Sequence, residues 1–307
     1  MSGFGSGFGV LAGLADSEFL SDVDAHDRDT ARLAMTLAGG VTLGFGAATL
    51  VGFALGGLPH TLQDLLFDTA ANGMLWLTFV ALAALIAHHR LRAYLTAATH
   101  IRWRLLALGL GLSLLALMPV VVANILTAPA NRSLAGAWAS IAPNGLLIAV
   151  LSTALLIPAA AAEELFFRGW LLRQTAAFTR RPVILIVLTA LIFSAIHRDF
   201  NPDTFLSRML MGAGFAYMTL RLGGIEFSAG AHAANNIVVV LFMGPLTLDA
   251  PAGGPVFSAG TLITDAAIVA GYVLMTEAVA RVPQLQHWAR VQDREISPVR
   301  VQTPSFS

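Results

Sequence analysis

Blocks of about 20 predominantly apolar residues recur along this chain, the length a helix needs to cross a bilayer core. Lipid offers the backbone no hydrogen-bond partners, so such blocks must be helices unless they close into a barrel. The period-2 alternation that a barrel requires is absent. Of 307 residues, 56% are hydrophobic and only 12% charged, and the mean hydropathy is +0.73, well outside the range of a soluble domain. The expectation is an all-α, polytopic membrane protein.

Apolar length draws eight spans, at roughly 33–57, 71–87, 105–126, 145–172, 183–197, 205–220, 226–245 and 258–280. Before them, residues 1–30 are Gly-, Ser- and Phe-rich and then acidic, with neither the basic start nor the short apolar core of a signal peptide, and read as a mobile arm. The transmembrane helical domain is expected over 31–281, and a polar tail carrying Pro283, Pro298 and Pro304 over 282–307. Arg28, Arg32, Arg90, Arg92, Arg102, Arg104, Arg173, Arg180, Arg181, Arg221, Arg281, Arg290, Arg294 and Arg300 fall on alternate connections. The opposite connections hold only Arg132, Arg198 and Arg208. Positive residues stay cytoplasmic, so both termini are expected inside. Gly40, Gly44, Gly52 and Gly56 on the first span have the spacing that lets helices approach closely in lipid.

Composition removes several kinds of chemistry. The 18 basic residues other than histidine are all arginine, which excludes a Ser-Lys dyad or a Schiff-base lysine. There is no cysteine, hence no thiolate nucleophile, disulfide framework or thiolate metal site. A formal net charge of zero excludes a generally basic surface for nucleic acid.

Against this background, polar residues inside three neighbouring spans stand out. An ionisable group in the hydrocarbon layer costs roughly 2.5–3.5 kcal/mol on insertion scales. The fourth span carries Glu163, Glu164 and Arg168, the fifth ends on His197, and the seventh holds His232 and Asn236. Glu164 and Arg168, four apart, stack on one helix face and can pair. Glu163 lies about 100° around the helix, freer to face a cavity and accept a proton. The alternative is that both glutamates share Arg168 at headgroup depth. His232 and Asn236 also lie four apart on one face. His26, His60, His88, His89, His100 and His287 stand in polar flanks or among arginines and are not expected in a site. A buried reactive site, suited to hydrolysis, is the expectation. A non-catalytic transporter or proton relay would also place charges in a membrane, but no inverted repeat points to one.

Glu163-Glu164-x-x-x-Arg168, Phe193-x-x-x-His197 and His232-x-x-x-Asn236 resemble the three ordered motifs of the CPBP (Abi) family, which includes the type II CAAX prenyl endopeptidases. The resemblance covers about residues 145–245. It implies an eight-helix intramembrane endopeptidase with a buried active site, in a bacterial inner membrane. Its substrate would be a membrane-associated or prenylated peptide or protein, and lipid would be its surroundings. By the same resemblance Glu163 and His197 would activate water, His232 and Asn236 would stabilise the oxyanion, and Glu164 with Arg168 would support the helix. Glu163, His197 and His232 are also a possible zinc-ligand set, since catalytic zinc uses three protein ligands and a water. A glutamate base oriented by histidine needs no metal. An immunity or scaffold protein that keeps the motifs without turnover is the remaining alternative.

The arginine asymmetry predicts that reporter fusions at Ser2 and at Ser307 both read cytoplasmic. A periplasmic signal from either fusion contradicts the span count.

Overall fold

The computed structural model describes residues 11–57, 66–127, 145–243 and 259–291. Its main helices are α1 (Thr30–Leu55), α2 (Asn72–Ala87), α3 (Trp103–Thr127), α4 (Gly145–Glu164), α5 (Leu172–Phe178) and α6 (Pro182–Ile196). They are followed by α7 (Pro202–Leu222), α8 (Glu226–Val238), α9 (Ala259–Arg281) and α10 (Pro283–Ala289). A π-helical segment, Leu165–Leu171, joins α4 to α5. Among the described residues there is no strand, only an isolated bridge between Thr96 and Gly224. The expected Arg132, Arg294, Arg300 and His60, the first residues of the arm and most of the tail lie outside the described residues.

Local chemistry sets the helix ends. The Asp29 carboxylate accepts from the N–H groups of Ala31 and Arg32 at 2.9 and 3.2 Å, supplying partners that the first turn of α1 lacks. Pro182 and Pro202 open α6 and α7, where a missing N–H costs nothing. Asn201 caps α7 by accepting from Asp203 N–H at 3.1 Å. Gly223 ends α7 at φ +71°, a left-handed conformation that glycine adopts without strain.

Each of the eight expected segments is helical where it is described, and among the described residues five helices are long and apolar enough to cross a bilayer by themselves. These are Thr30–Leu55, Thr69–Ala87, Trp103–Ala123, Ala149–Phe178 and Gly260–Arg281, and they make this an integral membrane protein. The other three have a physical reason to fall short. α6 has 15 residues and α8 has 13, and α7 carries Asp203, Arg208 and Arg221. Much of α7 and nearly all of α8 is buried against other helices. Protein rather than lipid surrounds them, so they tolerate polar residues that a lone span would not.

Close helix crossings explain some of the glycines. A methyl group on Gly109 of α3 would collide with the Phe227 carbonyl, and one on Gly230 of α8 with the Leu106 carbonyl. This reciprocal contact seats α8 directly on the α3 backbone, the kind of approach small residues permit in lipid. On α1, Gly40 and Gly44 are buried against Phe79 and Leu75 of α2. α1 turns Phe45, Leu50 and Phe53 outward, as a lipid-facing helix should.

The arginine-rich connections meet at one end of the bundle. There the N-terminal segment, read above as an arm, has a seat. Leu14, Phe19, Leu20 and Val23 are buried in the core cluster that also holds Tyr94 and Trp170. Arg173 donates to Phe19 O at 2.5 Å and to Asp22 at 2.7 Å. Arg180 donates to Leu20 O and Val23 O at 2.9 and 2.7 Å, and Gln174 to Asp27 O at 2.8 Å. At the same end α10 brings Trp288 beneath Arg104, 5.9 Å from ring centre to guanidinium carbon.

His89 completes this seat, with Nε2 2.8 Å from an Asp27 carboxylate oxygen. That hydrogen bond raises the His89 pKa above its ordinary value of 6.5 against the opposing effect of burial. Burial works against ionisation of Asp27, yet the hydrogen bonds from His89 and Asp24 N–H hold its pKa below the usual value. Folded His89 binds its proton more tightly than unfolded His89 does. Its contribution is therefore fully present below about pH 6.5 and is lost as pH rises through the raised folded value. Limited proteolysis of residues 11–29 in detergent should accelerate as pH climbs through that window. His89→Ala should cleave at the fast rate throughout, and a pH-independent rate in the wild type contradicts the assignment.

Candidate active site

The helix that carries the glutamates changes its winding at the residues that matter. α4 ends on Glu164, and the wider π turn then runs from Leu165 to Leu171 with Arg168 at its middle. Such segments in otherwise α-helical rods often accompany functional sites. The tight approach of Gly169 to the Tyr94 carbonyl leaves no room for a side chain there. The connection before α3 thus lies directly against the π turn.

Glu164 and Arg168 are both fully buried and form the expected pair, with Arg168 Nη1 donating to Glu164 Oε1 at 2.8 Å. The other guanidinium nitrogen donates to the Gly212 carbonyl of α7 at 2.9 Å. The guanidinium carbon stands 4.5 Å from the ring centre of Phe193, 5.4 Å from Phe215 and 5.6 Å from Phe167. A buried arginine is held by pairing and by aromatic faces together. Gly212 allows this convergence, since a methyl group there would press on Phe193, Ala190 and Arg168.

His232 arrives from α8. Its Nδ1 lies 3.0 Å from the same Glu164 oxygen that Arg168 holds, and its ring stacks on Phe215 with centres 4.9 Å apart. With Nδ1 directed to Glu164, Nε2 faces Glu163, at 3.8 Å from Oε2. That gap is too long for a direct hydrogen bond, and a water or a substrate oxygen beside it can touch both groups. Glu163 keeps partial exposure, 17% for its side chain against 0% for Glu164. The two neighbouring carboxylates therefore occupy different surroundings, one locked and one open.

His197 caps the end of α6. Its Nδ1 lies 2.8 Å from the Phe193 carbonyl, an oxygen that can only accept, so Nδ1 carries the hydrogen and Nε2 is left to act. It is exposed at the end of the helix, its ring 4.9 Å from that of Phe193. Asn236 is half-buried on α8, one turn beyond His232. The sequence-predicted residues thus lie on α4, α6 and α8, with α7 supplying Gly212 between them.

For zinc, Glu163, His197 and His232 are suitable donor types. Among the described residues, however, no three His, Asp or Glu side chains converge as a metal-binding group. Of the three, Glu163 and His232 stand closest, with Oε2 and Nε2 3.8 Å apart.

Sequence reasoning missed the groups that fix α8. Arg102 and Glu226, both buried, form a two-pronged pair with Nε–Oε1 at 2.9 Å and Nη2–Oε2 at 2.7 Å. Arg102 also donates to the Leu222 carbonyl at 2.8 Å. This ties the start of α3 to the turn between α7 and α8, six residues before His232. Gly224 leaves the space that the pair occupies. A glutamate at the very start of an apolar span was the available signal; its partner, 124 residues away, was not visible. Beside the site, an apolar groove of about 1090 Å³ runs between α1, α2, the π segment and α6, ending at Ala195, Ile196 and Arg198.

Comparison with known proteins bears on this region. Residues 143–238 match the family model described as type II CAAX prenyl endopeptidase Rce1-like, a stretch that contains all six of Glu163, Glu164, Arg168, His197, His232 and Asn236. The uncharacterized protein YyaK of Bacillus subtilis is 30% identical over 161 residues, 50% of this chain and 52% of that protein. The chain thus spans about half the length of the curated relative it matches. No solved structure matches it. The likeness to CAAX-type intramembrane endopeptidases read from the motifs is thereby shown for the part of the chain that carries the site.

Removing one member of the buried pair leaves the other charged and uncompensated, at a cost of roughly 3–5 kcal/mol. Arg168→Ala and Glu164→Ala should sharply lower folded yield and thermal stability, and Arg102→Ala should do the same by stranding Glu226. Glu163→Gln, at a partly open position, should leave yield unchanged. Equal losses across all four, measured by size-exclusion recovery and thermal melts, would remove the distinction between the two glutamates.

Proposed function

We propose that this chain is an intramembrane endopeptidase in which Glu163 and His197 activate water against a peptide bond of a membrane-associated substrate. The observation that carries this reading is the divided pair of carboxylates around one imidazole. Glu164 fixes His232 through Nδ1, and His232 turns its remaining nitrogen toward the open carboxylate of Glu163.

The reaction follows from these positions. Glu163 takes a proton from a water whose other contact is His197 Nε2, and the water oxygen attacks the carbonyl carbon. Charge develops on the carbonyl oxygen, where Asn236 offers amide hydrogens. As an imidazolium, His232 donates from both nitrogens, Nδ1 to Glu164 and Nε2 into the site. Donors held in place by buried packing stabilise such an oxyanion without reorganising. When the tetrahedral species collapses, the C–N bond breaks and the proton held by Glu163 passes to the departing amine. The apolar groove that ends at Ile196 offers hydrocarbon surroundings for the membrane-embedded part of the substrate.

Purified wild-type protein should cleave membrane-anchored peptides in a detergent or vesicle assay, and Glu163→Gln should abolish this, because an amide cannot accept the proton. Asn236→Ala should lower kcat by about 10²–10³-fold, the scale of one lost oxyanion donor. Activity should survive thorough chelation. Stoichiometric zinc whose removal and return switch activity off and on would overturn the direct water activation.

A further inference from the structure

Asn72 is a polar residue inside the apolar span Thr69–Ala87 that the hydrolytic chemistry does not use. It opens α2 directly after a π-helical segment, Phe67–Ala71, the same change of winding that marks the glutamate rod. It is half-buried and lines the apolar groove. Among the described residues no hydrogen bond, ion pair or ring contact engages its amide. One turn further along α2, the Trp76 indole N–H is buried and has no acceptor among the described residues either. Hydrocarbon supplies no hydrogen-bond partner, so an open amide and an open N–H beside one groove are costly unless a bound molecule satisfies them.

The packing of α2 sets where Asn72 stands relative to the site. A methyl group on Gly73 would lie 3.9 Å from Ala162 Cβ, Trp76 packs on Phe166 with ring centres 4.3 Å apart, and Phe79 meets Trp170 at 4.7 Å. Both helices advance together along this contact, so they run parallel. Asn72 precedes the contact at Gly73 by one residue, and Glu163 follows the contact at Ala162 by one. On parallel helices a step back on one and a step forward on the other turn about 100° to the same side. Asn72 and Glu163 therefore flank one side of the contact, separated by about 3 Å in height. Packed helix axes lie about 8–10 Å apart. Extended chain covers that distance in two or three residues, at about 3.3 Å each.

We propose that Asn72 is a substrate-binding residue whose amide pairs with one peptide group of a bound polypeptide, two or three residues from the bond that Glu163 addresses. The proposal deepens the endopeptidase reading and rests on it for the cleaved bond. The amide itself selects the occupant. A peptide group presents one N–H and one C=O, and an asparagine amide offers the matching acceptor and donors. A phospholipid ester presents acceptors only and would leave the Asn72 carbonyl without a donor. An extended segment has the complementary need, because its backbone groups must find partners away from water. The groove around Asn72 is lined mainly by apolar side chains such as Leu75, Trp76, Phe79 and Ile192. The contact thus recognises backbone, and the substrate class is an extended apolar segment.

Binding can be measured apart from hydrolysis, on full-length Glu163→Gln protein in detergent micelles. The probe is a fluorescently labelled decapeptide of alternating leucine and alanine, with analogues in which one peptide group at a time is replaced by an ester that lacks the N–H. Adding Asn72→Leu should weaken binding of the all-amide probe about tenfold, the scale of leaving one buried polar group unpaired. One ester position should cost a similar factor when Asn72 is present and nothing further in the Asn72→Leu protein, the coupling expected of direct partners. Asn72→Gln, which keeps the amide, should recover part of the affinity. Asn72→Leu and Asn72→Ala should melt no lower than their parent, since the amide has no partner within the described fold. Lower melting temperatures for both would assign Asn72 to the fold and overturn the proposal. Failure of the all-amide probe to bind, or equal ester losses with and without Asn72, would overturn it too. So would native mass spectra in which Asn72→Leu sheds a held phospholipid while its peptide affinity is unchanged. If the coupling holds but the wild-type protein cleaves no peptide, the Asn72 contact stands and the hydrolytic reading falls.

Discussion

One carboxylate oxygen, Glu164 Oε1, is where the structure is held. It accepts from Arg168 on its own rod and lies 3.0 Å from the imidazole of α8, while Arg168 reaches on to α7. A lone buried charge is expensive in a low-dielectric interior, and only well-directed partners offset it. The helices are therefore not free to rotate or slide independently. Moving α8 by one residue would take His232 away from Glu164 and leave both charged partners short. The requirement that stabilises the bundle is the same one that aims the second imidazole nitrogen at Glu163.

Much of this was legible in the sequence because it is local. Spacing alone pointed to Glu164 with Arg168 and to His232 with Asn236 on one face, and apolar length located each helix to within a few residues. What escaped is non-local. The Gly212 carbonyl, the aromatic faces of Phe193 and Phe215 around Arg168, and the Arg102–Glu226 pair depend on segments far apart in the chain meeting. A π turn leaves no composition signature either, since Leu165–Leu171, Arg168 apart, reads as an ordinary apolar stretch. Among the described residues five helices, not eight, meet the length and apolarity of a lone span for a related reason: apolar length cannot tell a helix that meets lipid from one that meets other helices.

That last distinction organises the architecture. α1 carries its large apolar side chains outward and touches α2 through glycines, whereas α8 is buried almost all round and sits on the α3 backbone. The apolar outer helices supply the lipid-compatible surface, which frees α7 and α8 to carry polar groups. The reciprocal contact of Gly109 and Gly230 is what brings α8 deep enough for its histidine to reach the rod of α4 and α5.

The seat of residues 11–29 has a consequence for the order of assembly. Arg28 donates to the Ala177 carbonyl, 149 residues later, and Arg180 to the Leu20 carbonyl, 160 residues earlier. This segment leaves the ribosome well before the groups that hold it, which are synthesised only as the fourth long helical rod is completed. Chains grow at about 5–20 residues per second, so Arg28 and the Leu20 carbonyl wait on the order of ten seconds or more for their partners. A segment made early is thus among the last to find its place.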